Sequence, residues 1–139
     1  MNILVIDAQG GGIGRQLVAK LLERIPEADI VAAGTNSMAT NAMIKAGAKK
    51  AATGENAIRY CASQAEIITG PIGILVANAM LGEISPAIAE SVGSSTAQKV
   101  IIPTEHCNTI IAGTKALPVK DSIEDAVDRI VRIHGGEDN

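Results

Sequence analysis

Apolar residues follow two alternating patterns along the chain: short unbroken runs, and longer stretches at helical spacing. The run "ILVI" (3–6) has no polar position and predicts a strand buried on both faces, as in a parallel sheet. Over 13–25, Leu17, Val18, Leu21, Leu22 and Ile25 share one face of a predicted helix that Pro26 ends. "IVAA" (30–33) predicts a second strand closed by Gly34, and the Ala- and Met-rich segment 37–46 a helix stopped at Gly47. A short strand near 48–52, a helix around 55–62 and a fourth strand over 66–69, broken at Gly70-Pro71, come next. From there to Leu81 the periodicity is open between strand and helix. "SPAIAESVG" (85–93) has Ser85 at the N-cap, Pro86 at the first helical position and Gly93 at the end. "KVIIPTE" and "TIIAGT" are two more strand candidates. The last helix carries Ile123, Ala126, Val127, Ile130 and Val131 on one face, with Ser122 and Asp125 resembling a capping box at its start.

This alternation predicts a single α/β domain over 1–134, with an acidic tail at 135–139. Its sheet is expected to be doubly wound and mainly parallel, Rossmann-like, with five or six strands and the first one central. Composition narrows the classes of partner. Without Phe or Trp, and with Tyr60 as the single aromatic residue, the chain has no stacking platform for bases. A net charge of −3 without a basic cluster leaves no footprint for nucleic acid. Cys61 and Cys107 are too few for a disulfide framework and have no zinc spacing, so no metal is expected. No run reaches membrane-spanning length, and the strand pattern begins too early for a signal peptide. The expectation is a cytoplasmic protein with no membrane partner.

The burst "DAQGGGIG" lies where a strand feeds a helix. Glycines there expose backbone N–H groups at the positive end of the helix dipole and let an anion come close. Gln9, Gly10, Gly11, Gly12, Ile13 and Gly14 are therefore candidate phosphate-binding residues. The other reading is a turn that packs the first helix tightly on the first strand. Read as GxGxxG, the positions are Gln9, Gly11 and Gly14, so the first glycine is missing; no GK[ST] follows, which excludes a Walker-type loop.

At the end of the second strand, where dinucleotide folds carry an acidic residue for the ribose diol, stands "GTNS". Thr35, Asn36 and Ser37 are neutral and rich in donors, which suits a 2′-phosphate with Arg15 supplying charge; a plain N-cap at Asn36 or Ser37 is the alternative. Gly70, Pro71 and Gly73 in "TGPIG" form a second glycine loop, expected across the crevice from the first. The cofactor these loops suggest is NAD or NADP, or another phosphorylated nucleotide.

"GIG" at 12–14 resembles the end of the TGxxxGIG loop of short-chain dehydrogenases, with Asp7-Ala8 in place of Thr-Gly. That resemblance implies cofactor binding but not the family's chemistry, because Tyr60 has Gln64 and not Lys four residues on. Over most of its length the chain is similar to a small bacterial family of uncharacterised Rossmann-like proteins. "VIDAQGGGIG", "GTNSMAT", "GPIGILVANAMLGEISP" and "IPTEHCNTII" carry that likeness, which implies the fold and no activity.

"PTEHCN" (103–108) is the most reactive-looking stretch, with Cys107 a candidate nucleophile and His106 a candidate proton carrier. Neighbours on an extended chain point to opposite faces, so a buried Cys and a hydrogen-bonded His are the favoured reading. Three functions remain open: a nucleotide-binding domain, a small enzyme completed by His106 and Cys107, or a structural subunit without a ligand. A homodimer is expected, with Ala87, Ile88, Ser91 and Val92 as candidate interface residues.

Overall fold

The computed structural model describes residues 2–104, 108–115 and 117–137. Five parallel strands form one sheet in the order β3-β2-β1-β4-β5, where β1 is Asn2–Asp7, β2 Asp29–Gly34, β3 Lys50–Thr53, β4 Ile67–Pro71 and β5 Gln98–Ile102. The first strand is central, as its two-sided apolar character predicts: Ile3, Leu4, Val5 and Ile6 are all fully buried. Side chains alternate across a strand, so Ile3 and Val5 join one core while Leu4 and Ile6 join the other.

The helices divide the same way. α1 (Gly12–Arg24), α2 (Ser37–Lys45) and α5 (Val119–His134) cover one face through Leu17, Leu21, Met43, Ile123 and Ile130. α3 (Glu55–Gln64) and α4 (Pro86–Gly93) cover the other through Ile58, Ala62, Ile88 and Val92. Each large aliphatic side chain so buried contributes about 1.5–3 kcal/mol, and these supply the core in place of aromatic rings. Arg24 and Asp128, 2.7 Å apart, and the pair Lys20 with Glu124 tie α1 to α5.

Several expectations are corrected. Gly70-Pro71 does not break the fourth strand, which pairs with β5 as far as Pro71 opposite Ile102. The open stretch after it is neither strand nor long helix, but a single 3-10 turn (Ile72–Leu75) and a series of tight turns. "TIIAGT" adds no strand; 109–114 is irregular and exposed, since its apolar run has no neighbouring strand to pair with. Helix α5 starts three residues before Ser122, which is buried inside it, while Asp125 pairs with Arg129 at 2.9 Å; no capping box forms. The interface residues foreseen on α4 are partly spent: Ile88 and Val92 are in the core, and Ala87 and Ser91 are half-buried.

Candidate functional site

The carboxyl ends of all five strands lie at one edge, and β1 and β4 are where the chain direction across the sheet reverses. Crevices at such a reversal are the usual ligand position in this architecture. The β1–α1 loop (8–11) crosses that edge. Asp7, the last residue of β1, is buried and holds the loop: Oδ1 accepts from the Ala8 amide at 2.8 Å and Oδ2 from the Gly14 amide at 2.7 Å. Burial pushes its carboxyl above the ordinary range; the amides of Gly14, Ala8 and Ile13 pull it back, and the Glu83 charge pushes it up slightly. The helix start is thus capped from within, by a carboxylate of the preceding strand.

The glycines of the loop differ in what they are for. Gly11 has a positive φ of 71°, and a Cβ there would sit 2.9 Å from the backbone of Ala39. At Gly14 a Cβ would meet the Met43 sulfur at 2.7 Å and Asp7 at 2.9 Å. These two let α1 and α2 pack closely. Gly10 and Gly12 are exposed, a Cβ on either would meet nothing within 4 Å, and neither has a positive φ. Their amides have no partner among the described residues. Gln9 is exposed with φ 50°, and Ile13 is half-buried.

At the end of β2, Asn36 is the N-cap of α2, its Oδ1 accepting from the Ala39 amide at 2.9 Å. Its Nδ2 donates to the Gln9 carbonyl at 3.1 Å, which joins the two loops. Ser37 is exposed at the first position of the helix. Together with Gly10, Arg15, Asn41 and Lys45 it lines an open depression beside the glycine loop. Arg15 and Lys45 have no ion-pair partner among the described residues.

The sequence reading missed Glu83. Its Oε1 accepts from the Thr35 hydroxyl at 2.6 Å, Asn36 Nδ2 at 2.8 Å and the Gln9 amide at 2.9 Å. Burial alone would raise its carboxyl, but these three bonds outweigh it and hold the group below the ordinary glutamate range. Two of the donors that suggested a 2′-phosphate, Thr35 and Asn36, are therefore spent on a carboxylate, while Ser37 stays exposed beside Arg15. A signal did exist: Glu83 is the sole charged residue between Glu66 and Glu90.

The second glycine loop is a supporting element. Gly70, Pro71 and Gly73 are buried, and a Cβ on Gly70 would lie 2.3 Å from the Ile6 carbonyl oxygen. Its glycine is accounted for by strand packing. His106 and Cys107 lie outside the described residues. Cys61 is half-buried, and burial pushes its thiol up. Among the described residues no three His, Cys, Asp or Glu come together, and no helix is long and apolar enough to cross a membrane.

A crystal structure of a dodecameric FMN-dependent UbiX-like decarboxylase from Escherichia coli O157:H7 is similar to this chain with a TM-score of 0.52. The two are 16% identical over 100% of this chain and 96% of that one, which shows a shared Rossmann-like fold. No curated protein matches the sequence. The family described as a domain of unknown function, DUF3842, matches residues 2–135, so the chain belongs to that family.

Proposed function

We propose that this protein binds a phosphorylated nucleotide-type ligand at the carboxyl edge of its sheet, with the phosphate on the β1–α1 loop. One observation carries the reading: Gly10 and Gly12 lack a Cβ that neither packing nor backbone conformation forbids. Close approach from outside is what such glycines allow, and their amides have no partner among the described residues. Arg15 and Lys45, beside Gly10, add positive charge that is unpaired among the described residues. Gly11 and Gly14 let the loop and the start of α1 pack on α2, and Gly70 lets β4 approach the end of β1.

NAD and FMN are the two ligands put first. NAD follows from the loop's position in the fold, and FMN from the FMN-dependent protein that shares it. Thermal unfolding with NAD(H), NADP(H), ATP, GTP, FMN and coenzyme A tests the reading. A ligand at a hundredfold excess over its Kd adds about 2.7 kcal/mol, or roughly 3–6 °C in a domain of this size. Gly12→Val is expected to keep the unliganded melting point and lose that shift. A panel with no shift leaves the glycines without a ligand and overturns the proposal.

The alternative of a small enzyme assigns catalysis to His106 and Cys107. Alkylation of Cys107 that is blocked by the ligand, with turnover lost in Cys107→Ser, is the result that would favour it.

A further inference from the structure

We infer that Glu83 reads the sugar of this ligand, its free carboxylate oxygen accepting from the vicinal hydroxyls of a nucleotide ribose; this rests on the nucleotide reading above. The carboxylate is fixed from two sides. Gln9 follows β1, and Thr35 and Asn36 follow β2, so the group bridges the ends of two adjacent strands next to the glycine loop.

The two oxygens are used unequally. Oε1 takes all three protein donors and is saturated, while Oε2 has no partner among the described residues. Joining the loops needs Oε1 alone. An acceptor held in place by bonds to its sister oxygen is preorganised, and a ligand that uses it does not have to order the side chain first. A cis-diol brings two donors and no charge, which matches an anionic acceptor. A 2′-deoxy sugar brings one donor fewer. A 2′-phosphate sets a second anion against the first, at the position where the neutral "GTNS" stretch by itself would welcome it.

Calorimetric titration with AMP, 2′-deoxy-AMP and adenosine 2′,5′-bisphosphate tests this directly on the unaltered protein. AMP is expected to bind about tenfold more tightly than the deoxy nucleotide, the scale of one hydrogen bond to a charged group, and the bisphosphate more weakly than AMP. In Glu83→Gln, checked for an intact unfolding transition, the ratio of AMP to 2′-deoxy-AMP affinity should fall toward one. Equal affinity of the unaltered protein for both overturns the assignment and makes Glu83 a loop latch only. Tighter binding of the bisphosphate also overturns it, giving Arg15 and Lys45 the 2′-phosphate. A melting shift with FMN but no binding of AMP overturns this inference while the nucleotide-type reading stands. No response to any ligand ends both.

Discussion

At the scale of single residues the glycine loop separates two jobs that look alike in the sequence. Gly11 and Gly14 answer to packing, Gly10 and Gly12 to nothing among the described residues. Gly11→Ala and Gly14→Ala are each expected to lower stability by about 1–3 kcal/mol, through overpacking and, at Gly11, the left-handed backbone. Gly10→Ala should stay within about 0.5 kcal/mol of the unaltered protein, as an exposed change does. Urea unfolding of the three variants checks the division; a Gly10→Ala loss as large as the others would remove the basis for an outside ligand. That a glycine burst marks a close approach is legible in the sequence, but which glycine approaches what depends on α2, whose position no local pattern encodes. Glu83 stands out in the sequence as an isolated charge, but its partners were illegible for a similar reason. It acts on Gln9 and Thr35, which are far from it in the chain. Its pH behaviour follows from its lowered carboxyl. The contribution is complete above the ordinary value of 4.5 and is lost as pH falls through the lower folded value. The stability difference between the unaltered protein and Glu83→Gln, from urea unfolding at a series of pH values, should therefore shrink below about pH 4.5. A difference that grows toward acid would mean that the carboxylate is not held by those bonds.

At the scale of elements, long periodic stretches and caps read well, and irregular backbone does not. Ser85 caps α4 as its sequence indicates, its hydroxyl accepting from the Ile88 amide at 3.2 Å, with Pro86 at the first position. The same kind of signature fails at Ser122, because helix α5 gains a further turn ahead of it and buries the serine. The stretch after β4 defeats periodicity because Asn78, Met80 and Leu81 all have positive φ, values that neither helix nor strand contains. Such residues cost energy unless their surroundings hold them. Leu81 is 98% exposed, so its side chain contributes no burial there. Leu81→Gly relieves a left-handed penalty of about 1–2 kcal/mol against an added chain-entropy cost of about 0.5–1 kcal/mol, and should be neutral to about 1 kcal/mol stabilising. A clear loss of stability in denaturant unfolding would show that Leu81 makes contacts the free chain does not reveal. The loop's shape has a consequence for the site: with its ends held by Ala79 and Ile84 in the core, it delivers Glu83 to the ends of β1 and β2.

At the scale of the whole molecule, the doubly wound order was legible because two-sided burial of "ILVI" demands a central strand, and a parallel neighbour demands a helical crossover. The surface was not legible, since composition counts apolar residues without saying which of them the core absorbs. Helix α4, foreseen as an interface, spends Ile88 and Val92 on the core and leaves Ala87 and Ser91 half-buried. Met38, Ile44, Tyr60 and Leu81 are exposed singly elsewhere, but on the β5–α5 connection Ile110 is 96% and Leu117 56% exposed together with Ile111, next to Val119 at the start of α5. Ile110, Ile111 and Leu117 line one depression there, next to Pro103 and Thr104 at the end of β5. Clustered aliphatic groups of this kind are costly in water and are commonly covered by another chain, and symmetric self-association is the commonest cover. The expected state is a homo-oligomer that buries this connection, which would also bring a second copy to the carboxyl edge of the sheet. Light scattering at tens of micromolar should give a multiple of the monomer mass, and Ile110→Ser combined with Leu117→Ser should move it toward one copy without lowering the melting point of the monomer. A clean monomer in the unaltered protein would leave these residues exposed for some other partner and remove self-association from the account of the site.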